Sequence, residues 1–292
     1  MKARYGAQSM TAPLCRVVVR RPDAALADCD PGAFHYASPP DLARAQAQHD
    51  ACVALLEGFG AEVPRHQAPL PEHPDAIFVH DPAIVTRSGT IVLRMGKALR
   101  AGEEEALAEH LKEEAGVPVM ARLDESARAE GGDLLWLDES NLCVGLGYRT
   151  SQEGARQLQA ALRPLKVEVH AFDLPAAGGP QACLHLQSLV SLLDADLAVV
   201  FPPLAPVRFL ALLADRGVSW VEVPESEMAT LGCNVLALAP RRCVMLEGNP
   251  VTRARLEAAG CEVATFEGDE LCVKLEGGPT CLTRPVLRAA DR

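Results

Sequence analysis

Two patterns of apolar residues alternate along this chain from end to end. One is a short, mostly β-branched run bounded by Gly, Pro, Asp or Ser. The other is a longer stretch in which apolar positions return every three or four residues. The first predicts strands and the second amphipathic helices. A strand is expected over 15–20, stopped by Arg21 and Pro22. Residues 23–40 hold three prolines and little periodicity, which predicts a long loop of the kind that covers a site. A helix is expected from Asp41, carrying Leu42, Ala45, His49, Val53 and Leu56 on one face and ending at Gly58 and Gly60. A short strand over 61–63 follows.

From there the order of elements recurs. Runs at 83–86 and 90–94 flank a hairpin turn at Ser88-Gly89, then come a helix over 103–115 and a strand over 117–119. Runs at 134–137 and 141–145 flank a turn at 138–140, then a helix to 162 opened by a capping box at Thr150 to Glu153, then a strand over 167–169. Runs at 184–188 and 197–201 precede a helix over 207–214 and a strand over 218–223. Runs at 234–238 and 243–246 precede a helix over 250–259 and a strand over 261–266. Two strands, a helix and a strand thus recur about five times. Spacing agrees: Asp75 to Glu130 is 55 residues, and Glu130 to His185 is again 55. A unit repeated at that period predicts a radial array of α/β blades, although the same alternation also describes an ordinary mixed sheet.

Composition narrows the function. Of 292 residues, 49% are hydrophobic, enough for a sizeable core, and only 4% are aromatic, which leaves no stacking platform for nucleic acid. A net charge of -11 argues against a polyanionic partner and is weakly compatible with a cationic substrate. The N-terminus lacks an apolar signal region and no run is long enough to span a membrane. Ten cysteines stand scattered with no Cys-x-x-Cys pair and no zinc-ligand spacing. That usage predicts reduced thiols in a cytoplasmic protein, with no metal or other cofactor.

Polar residues recur at corresponding places in the units: Asp75 with Asp81, Glu130 in Glu130-Gly131-Gly132-Asp133, His185, and Cys281 after Gly277-Gly278-Pro279. Each has an ordinary structural reading alone; His185 between two leucines would be a core histidine. On the axis of a radial fold they would meet, and a thiol, an imidazole and carboxylates together define a reaction. Carboxylates accept the N–H fork of a planar guanidinium. A thiolate attacks its carbon, and the imidazole, oriented by a carboxylate, moves the protons.

With those residues in hand, the chain resembles the dimethylarginine dimethylaminohydrolases, within the guanidino-group-modifying superfamily of arginine deiminases and amidinotransferases. The resemblance rests on Phe78-Val79-His80-Asp81, Glu130-Gly131-Gly132-Asp133, Leu184-His185-Leu186-Gln187-Ser188 and Gly277-Gly278-Pro279-Thr280-Cys281, which occur in the family's order. It implies a five-bladed α/β propeller, the pentein fold, of ββαβ units around a central site, with residues 1–292 as one catalytic domain. It implies Cys281 as covalent nucleophile through a thiouronium intermediate, His185 as acid/base, Glu130 beside both His185 and the guanidinium, and Asp75 and Asp81 on the guanidinium. Arg100 and Arg149 match positions that clamp an α-carboxylate, and Leu275 one whose backbone meets the amino group. His80 stands at a guanidinium-binding position where the dimethylargininases carry Glu. An imidazole cannot replace a carboxylate there, so this departure bears on which guanidine is accepted.

The activity implied is hydrolysis of Nω-methylated arginine to citrulline and a methylamine. A deiminase acting on arginine or another guanidine, an amidinotransferase, and a propeller used only for binding stay open as alternatives. The partner expected is a small guanidino compound. A homodimer is compatible with the sequence, and Zn²⁺ is expected to inhibit through Cys281 and His185 rather than to be required.

Overall fold

The computed structural model describes residues 3–177, 179 and 184–289. The N-terminal part runs through β1 (Leu14–Val18), two short helices α1 (Ala24–Asp28) and α2 (Pro31–Phe34), and α3 (Leu42–Phe59). The loop expected over 23–40 is therefore partly helical. Asp23 and Asp30 accept from the backbone N–H groups of Ala25 and Gly32, and Pro31 presets the first helical φ. Neither signal repeats often enough to appear as periodicity. Asp41 caps α3 through the N–H of Arg44, and Gly60 ends it at φ 101°.

Four units follow with one topology. They are β2 (Ala83–Thr86), β3 (Gly89–Val92), α4 (Glu103–Glu113) and β4 (Val119–Arg122); then β5 (Leu134–Asp138), β6 (Asn141–Leu146), α5 (Gln152–Leu162) and β7 (Glu168–Asp173). The third holds β8 (Val190–Asp194), β9 (Leu197–Val200), α6 (Val207–Asp215) and β10 (Ser219–Glu222). The fourth holds β11 (Leu236–Ala239), β12 (Arg242–Leu246), α7 (Pro250–Ala258) and β13 (Glu262–Phe266). In each, the first two strands pair antiparallel as a hairpin, and the third returns parallel to the second after the helix. The last strand, β14 (Arg284–Arg288), pairs antiparallel with β1.

The fifth unit is assembled from both ends of the chain. β14 is its first strand, β1 its second and α3 its helix. The segment after α3 bridges parallel to β1 at Arg16 with Glu62 and at Val19 with Arg65. Among the described residues the strands thus form five small sheets, and the architecture is the α/β propeller expected. First strands sit innermost: β8 packs on β11 and β14 on β2. Apolar clusters fill the space between each sheet and its helix, as where Leu134, Trp136, Leu142 and Val144 meet Leu158 and Leu162 of α5.

Boundaries moved in two instructive places. The run at 184–188 is no strand: Leu186–Ser188 is a 3-10 turn, and β8 begins at Val190. The cap of α5 is Ser151, whose hydroxyl accepts from Gly154, while Thr150 turns inward and accepts from the N–H of Glu130 at 3.1 Å. In both cases the site claims side chains or backbone that local pattern assigns to an element.

Candidate active site

Every unit delivers a polar side chain just before its innermost strand. Asp81 precedes β2, Glu130 and Asp133 precede β5, His185 precedes β8, Asn234 precedes β11 and Cys281 precedes β14. These ends converge on one cavity of about 350 Å³. Cys281, His185, Asp75, Asp81, Arg100, Arg149 and Leu275 all line it, together with Lys97, Asn234 and the Phe34-His35 stretch after α2. Cys281 is half-buried; among the described residues no cysteine is in a disulfide, and Cys183 lies outside them.

His185 and Glu130 form the centre. Nε2 of His185 lies 2.8 Å from Oε2 of Glu130, whose side chain is wholly buried. Glu130 also accepts from the backbone N–H groups of Gly96 at 2.8 Å and Lys97 at 3.0 Å, and from Nη1 of Arg149 at 3.2 Å. Burial alone would raise this carboxyl. The His185 bond and charge and the Arg149 charge outweigh it and bring it to about 2. Glu130 is therefore an ionised orienter set behind the imidazole. The glycines after it are needed for close approach. A Cβ on Gly131 would stand 2.1 Å from the carbonyl oxygen of His80, and one on Gly132 would stand 2.4 Å from Nδ1 of His185.

Asp75 and Asp81 are buried at the cavity wall, and both are already held. Asp75 accepts from the hydroxyl of Tyr36 and from Nζ of Lys97, each at 2.6 Å. Asp81 accepts from the N–H of Gly132 at 2.9 Å and from Nη1 of Arg100 at 2.6 Å. Burial works against the charge of Asp81, but Arg100 foremost, with His185, holds it well below the usual carboxylate range. The segment carrying Tyr36 thus reaches the cavity wall at Asp75.

Two expectations are redrawn. Arg100 is 3% exposed; besides Asp81 it bonds both oxygens of Glu103 and the carbonyl of Phe78, so its guanidinium faces protein carboxylates. His80 is not at the cavity wall. Nδ1 meets the carbonyl of Thr283 at 2.9 Å and must carry the proton, so Nε2 accepts from the amide of Gln187 at 3.1 Å. Burial, with Arg284 nearby, lowers this ring to about 3 and keeps it neutral. His80 is thus a buttress beneath Asp81, and the local sequence cannot show this because it depends on which neighbours the fold supplies.

Arg100→Ala tests the first of these. Removing it leaves two buried carboxylates unpaired, and the expected cost is about 3–5 kcal/mol of stability, seen in urea or thermal unfolding. An unchanged midpoint with a raised KM would return Arg100 to the substrate's carboxylate.

Asn234 and Lys97 were not anticipated. Asn234 had a signal in the order of elements alone, since it opens the first apolar run of its unit, whereas the 55-residue spacing carried on from His185 lands on Pro240. Lys97 had none, since only the path of its loop brings the ammonium to Asp75.

Comparison with known proteins bears on the family and the fold. The arginine deiminase family model matches residues 65–211 and 208–288. An arginine deiminase of Mycobacterium marinum is 32% identical over 193 residues, 56% of this chain and 47% of that one; one of Rhodococcus opacus is 32% identical over 192 residues. The chain spans about half the length of these curated relatives. Among solved structures, the DDAH of Pseudomonas aeruginosa complexed with citrulline superposes with a TM-score of 0.78 at 24% identity, over 93% of this chain and 99% of that one. An amidinotransferase of Microseira wollei superposes with 0.79 at 17% identity, over 99% and 98%.

Proposed function

Since this chain belongs to the arginine deiminase family, we propose that it hydrolyses the guanidino group of a small arginine-like compound, with Cys281 as its nucleophile. The observation that carries the reading is the cavity itself. A thiol, an imidazole seated on a buried ionised carboxylate, and two further carboxylates open onto one space. Asp75 and Asp81 offer paired acceptors to a guanidinium. The substrate's positive charge, brought beside the sulfur, favours the thiolate.

The steps balance without a redox partner. The thiolate forms a C–S bond to the guanidino carbon while a C=N electron pair moves onto nitrogen. The pair returns, one C–N bond breaks, and the leaving amine takes a proton from His185. The thiouronium left on Cys281 is attacked by water as His185 takes a proton back. The C–S bond then breaks, the thiolate returns, the adduct's hydroxyl loses its remaining proton to solvent as the C=O forms, and a ureido product departs. Glu130 orients the imidazole and offsets its charge while it is protonated. Residues 1–292 act as one catalytic unit in this reading.

L-Arginine is the first substrate to assay, because the relatives at about 30% identity are arginine deiminases. Nω,Nω-dimethylarginine is the second, because the fold match runs over 99% of the DDAH chain. The withdrawn position of His80 leaves two carboxylates at the wall where the dimethylargininase pattern supplies a third. The experiment is a panel of L-arginine, dimethylarginine and agmatine, with glycine added in parallel. Citrulline, ammonia, dimethylamine, ornithine and new guanidines are quantified. A ureido product from the native protein and none from Cys281→Ser is the expected result. Ornithine with a new guanidine would instead mark an amidinotransferase, and no turnover of any guanidine would leave a binding protein.

A further inference from the structure

Asn234 is the fourth unit's contribution to the axis, and its amide lies directly against the nucleophile. Its Oδ1 accepts from the backbone N–H of Thr280 at 3.0 Å. That contact fixes which way the amide points, so the opposite face is Nδ2, and it donates to Sγ of Cys281 at 3.2 Å. The residue is buried, at 6% exposure, and lines the cavity. Its own N–H is tied to the carbonyl of Leu231 at 2.9 Å, and the carbonyl of Cys281 accepts from His80 at 3.2 Å, so both ends of the contact are anchored.

The Gly277-Gly278 turn is shaped around this contact. A Cβ on Gly278 would stand 2.5 Å from Cγ of Asn234, and one on Gly277 would stand 2.2 Å from the ring of Phe78. Side chains at these two positions would push the nucleophile's loop off the amide and the ring it rests on.

We propose that Asn234 is a further catalytic residue: its Nδ2–H is the donor that stabilises the Cys281 thiolate, both before attack and again when the C–S bond breaks. A donor aimed at sulfur favours the charged form over the thiol, and it gains strength as charge returns to the sulfur. This rests on the reading of Cys281 as nucleophile. It supplies a donor that remains in place before and after the substrate's own charge is present.

The test reads thiol ionisation without substrate. Iodoacetamide alkylation of the Cys281 peptide is followed by mass spectrometry across pH in the native protein, Asn234→Asp and Asn234→Ala. Asn234→Asp retains the acceptor for Thr280 and so the turn, but it removes the donor and sets a carboxylate beside the sulfur. The alkylation midpoint is expected to rise by about one pH unit in Asn234→Ala and further in Asn234→Asp, with the plateau rate unchanged. The acid limb of kcat/KM should move with it. A midpoint for Asn234→Ala that coincides with the native one, or falls below it, overturns the proposal, since a rise in Asn234→Asp alone reports the added carboxylate. If the midpoint rises but no guanidine is turned over, Asn234 still stabilises the thiolate, and its catalytic role falls with the functional reading.

Discussion

Cys281→Ser is expected to lower kcat by at least about 10³-fold while leaving substrate binding within a few-fold of native. The reason lies in what the site supplies. It offers a donor from Asn234 and, once substrate binds, a positive charge, and both favour the thiolate over the thiol. A serine hydroxyl is far too weak an acid for those aids to ionise it. The cavity and its carboxylates Asp75 and Asp81 are untouched by the change. Calorimetric titration of the variant with the best substrate of the panel should therefore show binding without product. Retained turnover at more than a tenth of native would remove Cys281 from the chemistry.

Glu130→Gln is the second large effect, and it couples catalysis to stability. The carboxylate accepts two backbone N–H groups on one oxygen and His185 with Arg149 on the other. An amide of the same shape must turn its NH₂ toward one of these sets, and donor then faces donor. We expect kcat to fall by about 10²–10⁴-fold, since the imidazole loses its orientation and its counter-charge. Glu130 is depressed from its ordinary value of 4.5 to about 2 in the folded chain. A carboxyl depressed on folding adds stability that is complete above the unfolded value and lost as pH falls through the folded one. The variant should therefore be less stable by about 2–4 kcal/mol at neutral pH. That gap should narrow between about pH 4.5 and pH 2, measured as the difference in urea unfolding between native and variant. A gap that stays constant over this window would mean that the charge of Glu130 contributes nothing to the fold.

How much of this was readable beforehand differs from residue to residue. Cys281, His185 and Glu130 were legible because each breaks a local pattern: glycines where no helix or strand needs them, and an imidazole inside an apolar run. The glycines proved to be space-makers for the very contacts that define the site. Asn234 was legible only as the start of its unit's first apolar run, and no local motif or spacing marks it. Arg100 and His80 were found as positions, but their directions were not. One arginine and one imidazole could each face substrate or protein, and the choice is made by Glu103, Thr283 and Gln187.

By itself, the sequence determined the repeating unit, while the ordinary mixed sheet stayed open until the structure showed five small sheets among its described residues. Hydrophobic period depends on neighbours a few residues away, so strands, helices and their order survive without knowledge of the whole. It also determined which side chains stand at unit ends, since turns and glycines are local. Only the tertiary structure decided what those side chains face. Closing the fifth unit from both termini, seating Arg100 on two buried carboxylates and aiming an amide at Cys281 all depend on partners far away in the chain. Burial makes each pairing nearly obligatory once it forms, because a charge or polar group removed from water must find its partner there.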